Sequence, residues 1–373
     1  MSPSRISCAL VALTFAAGCA GANNGTEAFT PQGSISQSRA AAPASPASHR
    51  SLRGRSLGTN ALTSMFLLNN IYVVSKLNNT VTVYTPGVDN PVRTVRNGLD
   101  LPQSLAFDSS GDMFVGNANS VTEYAEAGSA PNVVTGIITA GVNAPSQIAE
   151  DQSDNLWVAN TGGPGSITEY APGSTTPRVI AASINDPVDI AFSASDNLVA
   201  VANAGSGTVT CYNQTTGKLV RTITAGISTP TAVVFDDAGN LYVANTNNVI
   251  TVYQAGTIAV DHRITTNISS PSSLVVAGGQ LWVANAGNGT VASYDPAGGP
   301  PASTNNNQYF ANVVALAVNP FGPYIASAGD YLTLIPLASN NNICALGCHP
   351  APTTLFAPTL KGAGGPSAVG IGP

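Results

Sequence analysis

Leu156-Trp-Val-Ala-Asn160 returns, with small changes, as Val199-Ala-Val-Ala-Asn203, Leu241-Tyr-Val-Ala-Asn245 and Leu281-Trp-Val-Ala-Asn285. Four apolar residues closed by an Asn read as a buried strand ended by a turn former. Weaker copies begin at Ile71, Met113 and Pro323, so successive starts fall 42, 43, 43, 42, 40 and 42 residues apart. Each copy continues into a Gly/Asn turn and a second strand of the Val-Thr-x-Tyr type. That strand ends at Tyr84, Tyr124, Tyr170, Tyr212, Tyr253 and Tyr294, with Ile335 in the seventh copy. Two short strands joined in this way are a hairpin.

Two more strands flank each hairpin. Before it lies a Pro-led apolar stretch: Pro102 to Asp108, Pro145 to Asp151, Pro187 to Ser193, Pro230 to Asp236 and Pro271 to Ala277, with Val313 to Asn319 as a copy lacking the Pro. Proline suits a strand start, where its missing N–H costs no ladder bond. After the hairpin comes an outer strand, such as Val92 to Arg96 or Leu219 to Ile223. A constant period of this length with four strands per unit predicts an all-β, seven-bladed β-propeller of four-stranded blades. The first copy lacks a Pro-led strand, whereas Pro366-Ser-Ala-Val-Gly-Ile-Gly372 resembles Pro271-Ser-Ser-Leu-Val-Val-Ala277. The C-terminal strand is therefore expected to close the ring as the inner strand of the first blade, which removes open edges. Leu62 to Leu68 is the other candidate for that slot.

Only 9% of the 373 residues are charged, against about 25% in an average soluble protein. Thirteen Lys and Arg against nineteen Asp and Glu give a net charge of −6, which is no footprint for nucleic acid. The 43% hydrophobic content supplies a core and excludes a disordered polyelectrolyte. At the N-terminus, Arg5 precedes the apolar run Ile6 to Ala17, too short to span a bilayer and laid out as a secretory signal. Phe15-Ala16-Ala17-Gly18-Cys19 resembles a bacterial lipobox, with Ala16 where Leu is usual. Lipidation of Cys19 and ordinary cleavage nearby both fit. The chain thus divides into a signal at 1–19, an Ala/Ser/Pro-rich flexible stalk at 20–60 and one propeller domain at 61–373. Ala20, in place of an Asp, implies within the lipobox resemblance the outer membrane of a Gram-negative cell. The expected location is outside the cytoplasm: outer membrane, cell surface or periplasm, or the medium. Membrane contact is expected only through the lipid anchor.

Leu281-Trp-Val-Ala-Asn285 followed by Gly287-Asn-Gly-Thr-Val-Ala-Ser-Tyr294 resembles the NHL and YVTN classes of bacterial β-propeller repeat, over about residues 65–373. Some members of those classes are lactonases or lyases, and others are binding scaffolds or cell-surface proteins, so the resemblance implies architecture more than activity.

The repeated Asn117, Asn160, Asn203, Asn245 and Asn285 read as amides that satisfy the backbone at each strand exit, and the repeated Tyr as interblade packing with a bonded hydroxyl. Binding candidates are the inner-strand positions near the expected channel mouth: Ser104, Gln147, Asp189, Ala232, Ser273, Ala315 and Ala368. Of these, Asp189, Gln147, Ser104 and Ser273, with Asn143 and Asn185, form the candidate binding set. A gluconolactonase-like propeller implies a cluster of carboxylates and Asn around a metal. Asp189 alone is a thin version, which leaves Ca²⁺ at the mouth as an alternative. A lyase-like propeller implies a channel His with a Glu, whereas His49, His262 and His349 fall in the stalk, beside an outer strand and in an insertion. Glu123 and Glu169 precede their Tyr and read as surface groups. No catalytic residue and no metal ligand is assigned.

Cys211 takes the slot of those Glu residues as a free thiol. Cys344-Ala-Leu-Gly-Cys348-His349 resembles a haem c attachment motif with one extra residue, or staples the 340–358 insertion as a Cys344–Cys348 disulfide. The disulfide is preferred, since the insertion offers no apolar pocket for haem. The expectation is a monomeric, lipid-anchored binding or scaffold module of the cell envelope for an unidentified protein or carbohydrate ligand, without nucleic acid. The alternative is a divalent-metal-dependent lactonase- or lyase-like enzyme at the channel mouth.

Overall fold

The computed structural model describes residues 9–10, 70–84, 91–125, 133–306, 313–319, 322–327, 331–334 and 366–371. The described residues form strands and turns, with no helix among them. The signal and stalk apart from 9–10, together with Cys19, Cys344, Cys348, His349 and Leu62 to Leu68, lie outside them.

The period seen in the sequence becomes a β-propeller of up-and-down blades. In the third blade the order from inside out is Pro145–Glu150, Leu156–Asn160, Ser166–Tyr170 and Arg178–Ala182, all antiparallel. The second blade (104–138), fourth (187–223), fifth (230–264) and sixth (271–306) repeat that plan. In the first blade Ile71–Ser75, Thr80–Tyr84 and Arg93–Val95 are joined on the inner side by Pro366–Ile371, with Val369 opposite Val73. Ala9–Leu10 runs parallel beside that strand. A further sheet, Val313–Asn319, Gly322–Ser327 and Tyr331–Leu334, has three strands. The expectation of seven four-stranded blades is corrected here: six sheets reach four strands and this one does not. It is the copy with no leading Pro and with Ile335 in place of the repeat's strand-ending Tyr, and no fourth strand is among its described residues.

The core lies between neighbouring sheets, because strand alternation sends every second side chain to each face. Tyr72, Val74 and Val83 of the first blade pack with Leu105, Met113, Val115 and Tyr124 of the second. Trp157 and Ile167 of the third pack with Ile190, Val201 and Tyr212 of the fourth.

Polar side chains at the repeat's fixed positions fasten each blade to the crossover that enters it. In the third blade, buried Asn160 accepts from Asn143 N (2.8 Å) and donates to Gly141 O (3.1 Å) and Thr168 Oγ1 (3.3 Å). Tyr170 donates its hydroxyl to Ala140 O (2.6 Å). The fifth blade repeats the set: Asn245 accepts from Ser228 N (2.8 Å), Thr251 donates to Gly226 O (2.8 Å), and Tyr253 donates to Ala225 O. Gly141 and Gly226 hold φ of 75°, a conformation that favours glycine. The Asn and Tyr thus serve the backbone of the turn, as their recurrence in successive copies requires.

Candidate functional site: the mouth formed by the inner strands

The inner strands neighbour one another in chain order around the axis. Those of the second to sixth blades start from a crossover whose last residue before the Pro is left-handed: Leu101, Ala144, Asp186, Thr229 and Ser270 have φ between 45° and 54°. In four of these crossovers that residue's carbonyl accepts from the turn of its own hairpin, as in Ala204 N to Asp186 O (2.8 Å) and Thr246 N to Thr229 O (3.2 Å). Crossover and hairpin turn therefore form one rim.

Immediately after the Pro, the register of the third to sixth blades slips by one residue. Pro187 opposes Asn203 and Asp189 opposes Ala202, which leaves Val188 as the extra residue of a bulge. Ser146, Thr231 and Ser272 are its equivalents. A bulge re-aims a side chain, and these residues, with Gln103, line a cavity of about 510 Å³. Thr161, Thr229, Thr246, Ser270 and Asp186 complete its polar wall, and Val188, Ala204, Pro230 and Pro271 its apolar part. Gln103 and two of the bulged side chains also link neighbouring blades through the leading prolines' carbonyls. Gln103 Nε2 donates to Pro145 O (3.4 Å), Ser146 Oγ to Pro187 O (2.5 Å) and Thr231 Oγ1 to Pro271 O (2.8 Å). Lys76 Nζ donates to Gln103 Oε1 (3.0 Å).

Ser104, Gln147, Asp189 and Ser273 lie one residue further along the same strands, and all four are buried. The structure brings them into equivalent register but directs two of them clearly into the interblade seam. Asp189 Oδ2 accepts from Val233 N of the next blade (2.8 Å) and Oδ1 from Ile190 N (2.9 Å). Ser273 Oγ accepts from Leu316 N of the following sheet (3.4 Å). Burial raises the Asp189 pKa to about 7 against the lowering effect of those two donors. Ala232 and Ala315 are buried at the same level. Asn143 and Asn185 occupy the crossovers, each accepting through its carbonyl, from Gly162 N (3.0 Å) and Gly205 N (3.1 Å). Their side chains pack where a Cβ on Gly162 or Gly205 would stand.

The bulged residues, Ser146, Val188, Thr231 and Ser272, were not legible as cavity-lining positions in the sequence. A one-residue insertion leaves no mark in strand alternation.

Elsewhere, Glu169 pairs with Arg178, Glu123 bonds Thr135, and Cys211 is a buried free thiol. At the far end of the third inner strand, burial first and then Asp108, Asp151, Asp154 and Glu123 push the Glu150 carboxyl up to about 10. Among the described residues, no three His, Cys, Asp or Glu side chains are grouped to hold a metal ion. No family model matches the chain, and no curated protein is significantly similar to it.

Proposed function

We propose that this protein is an exported, lipid-anchored binding or scaffold module of the cell envelope, which holds a neutral polar ligand at the mouth of its inner strands. The observation that carries the reading is the lining of that cavity: hydroxyls and one primary amide from several blades, with Asp186 as a single carboxylate. Such a wall offers donors and acceptors in fixed positions and little net charge, which suits an uncharged polar ligand. The enzymatic alternative gains no support from Asp189, whose carboxylate oxygens are both engaged by backbone N–H groups.

The finer architecture belongs to the same proposal: an NHL- or YVTN-type repeat, with the C-terminal strand completing the first blade. Its support is the pairing of Pro366–Ile371 with Ile71–Ser75, and the place of that strand beside Val313–Asn319 and Ser104–Phe107. Export and attachment through Cys19 rest on the N-terminal sequence alone.

The test is thermal unfolding of the protein with a panel of neutral oligosaccharides and uncharged peptides, in the wild type and in Thr246→Trp, which fills the exposed rim. A ligand at 100 times its dissociation constant adds about 2.7 kcal/mol. A raised midpoint that Thr246→Trp abolishes is expected. A rise produced by Ca²⁺ alone and lost in Asp189→Ala would overturn the reading in favour of a metal-dependent enzyme.

A further inference from the structure

The partners of the mouth hydroxyls fix where their hydrogens point. A hydroxyl has one hydrogen and two lone pairs, whereas a carbonyl oxygen only accepts. Ser146, Thr161, Thr231 and Thr246 each meet a backbone carbonyl: Pro187 O (2.5 Å), Ala144 O (2.8 Å), Pro271 O (2.8 Å) and Ser228 O (3.3 Å). All four hydrogens are therefore engaged by the seams and the rim, and what these oxygens keep for the cavity is lone pairs. Ser146 is buried, but Thr161 and Thr231 are half-buried and Thr246 is exposed. Among the described residues, no group donates to these three threonine oxygens. Asp186 adds a carboxylate to the same wall.

Donors stand elsewhere. Gln103 Nε2 gives one hydrogen to Pro145 O (3.4 Å), and Gln103 Oε1 accepts from Lys76 Nζ (3.0 Å). One amide hydrogen and the remaining ammonium hydrogens are thus left at this end. The hydroxyls of Thr229 and Ser270, also on the wall, are free to turn either way. The cavity is polarised as a result, with acceptors along the third to fifth blades and donors beside the second.

This polarity separates the classes of uncharged polar ligand. Each sugar hydroxyl brings two lone pairs with its single hydrogen, and a buried lone pair that meets no donor costs free energy. An amide N–H brings a hydrogen and no lone pair, and the amide's acceptor is a separate carbonyl oxygen on the opposite side. We infer, resting on the reading of the mouth as the binding site, that it takes an uncharged peptide segment. The peptide N–H groups are directed to Thr161, Thr231 and Thr246, and its carbonyls to Gln103 and Lys76.

The test is an NMR titration of the full-length protein, read on the threonine methyl signals, with three neutral probes. These are acetyl-trialanine N-methylamide, its depsipeptide analogue with ester oxygens in place of N–H groups, and cellotriose. Saturable shifts are expected with the peptide. Binding should be at least about tenfold weaker for the depsipeptide, as loss of one or two hydrogen bonds implies, and for cellotriose. Thr231→Val and Thr246→Val keep the side-chain shape and remove the acceptor. Each should weaken the peptide by about threefold or more, with the melting midpoint showing that the protein is folded. Thr175→Val, at an exposed turn before the outer strand of the third blade, should leave binding intact. Equal binding of the peptide and either analogue, undiminished binding by either mouth variant, equal weakening by Thr175→Val, or no shift with the peptide would each overturn the inference. Thr246→Trp separates it from the reading beneath it. If cellotriose or the depsipeptide binds as well as the peptide and Thr246→Trp abolishes that binding, the mouth stands and the peptide falls. Peptide binding that Thr246→Trp leaves intact removes the mouth as the site, and the peptide assignment with it.

Discussion

Asp189 keeps a carboxylate in the seam between two inner strands, with two backbone N–H donors as its partners. Its pKa is raised to about 7 in the folded protein by burial, so the fold prefers the protonated form. The stability that goes with this proton is present in full below the ordinary carboxyl range and is lost as pH rises towards 7. Asp189→Asn should therefore remove a decline in melting midpoint between about pH 4 and pH 7, as a pair of pH-midpoint curves will reveal. Asn245 shows the opposite use of a buried polar group. Its amide is buried and bonded on both sides, to Ser228 N and to Thr251 Oγ1 among others. Asn245→Ala strands those partners and should cost about 1–3 kcal/mol, measurable by urea unfolding. The two residues also differ in how much the sequence reveals. Asn245 recurs at the repeat's period, and recurrence identifies a structural amide. Asp189 occurs in one copy only, and nothing in its neighbours distinguishes a carboxylate turned to a cavity from one turned into a seam.

The inner strands of the second to sixth blades begin with the same local device: a left-handed residue, a Pro and, in the third to sixth blades, a bulge. Thr229 carries the heaviest strain of the set, as a β-branched residue with φ of 47°. Thr229→Gly should relieve it, for a net gain of up to about 1 kcal/mol after the glycine's entropy cost; an unchanged or lower urea midpoint would show that the rim tolerates this φ without strain. Strand existence, order and period were legible because alternation, Pro-led starts and Asn/Gly turns all report on backbone geometry. The bulge was not legible, since an extra residue changes which side chain faces the cavity without changing the composition of the strand. That is why Val188 and Thr231 reach the cavity while Asp189 and Ala232 are buried beside it.

At the scale of the molecule, stability comes from seams between sheets, so every sheet depends on its neighbours. Pro366–Ile371 gives Ile71–Ser75 its inner partner, and without it that strand would present an open edge. Deleting residues 366–373 should lower the melting midpoint and produce concentration-dependent association, which light scattering coupled to size exclusion will detect. An intact midpoint with a monodisperse monomer would show that the first sheet does not need the strand. The same pairing orders events in time. Hairpins within a repeat can form as soon as their own residues exist, but Ile71 waits for Ile371, the kind of distant contact that makes folding slow. Until residues 366–371 have been synthesised, Ile71–Ser75 therefore lacks the inner partner that it has in the folded protein, and the first sheet is the last to be completed.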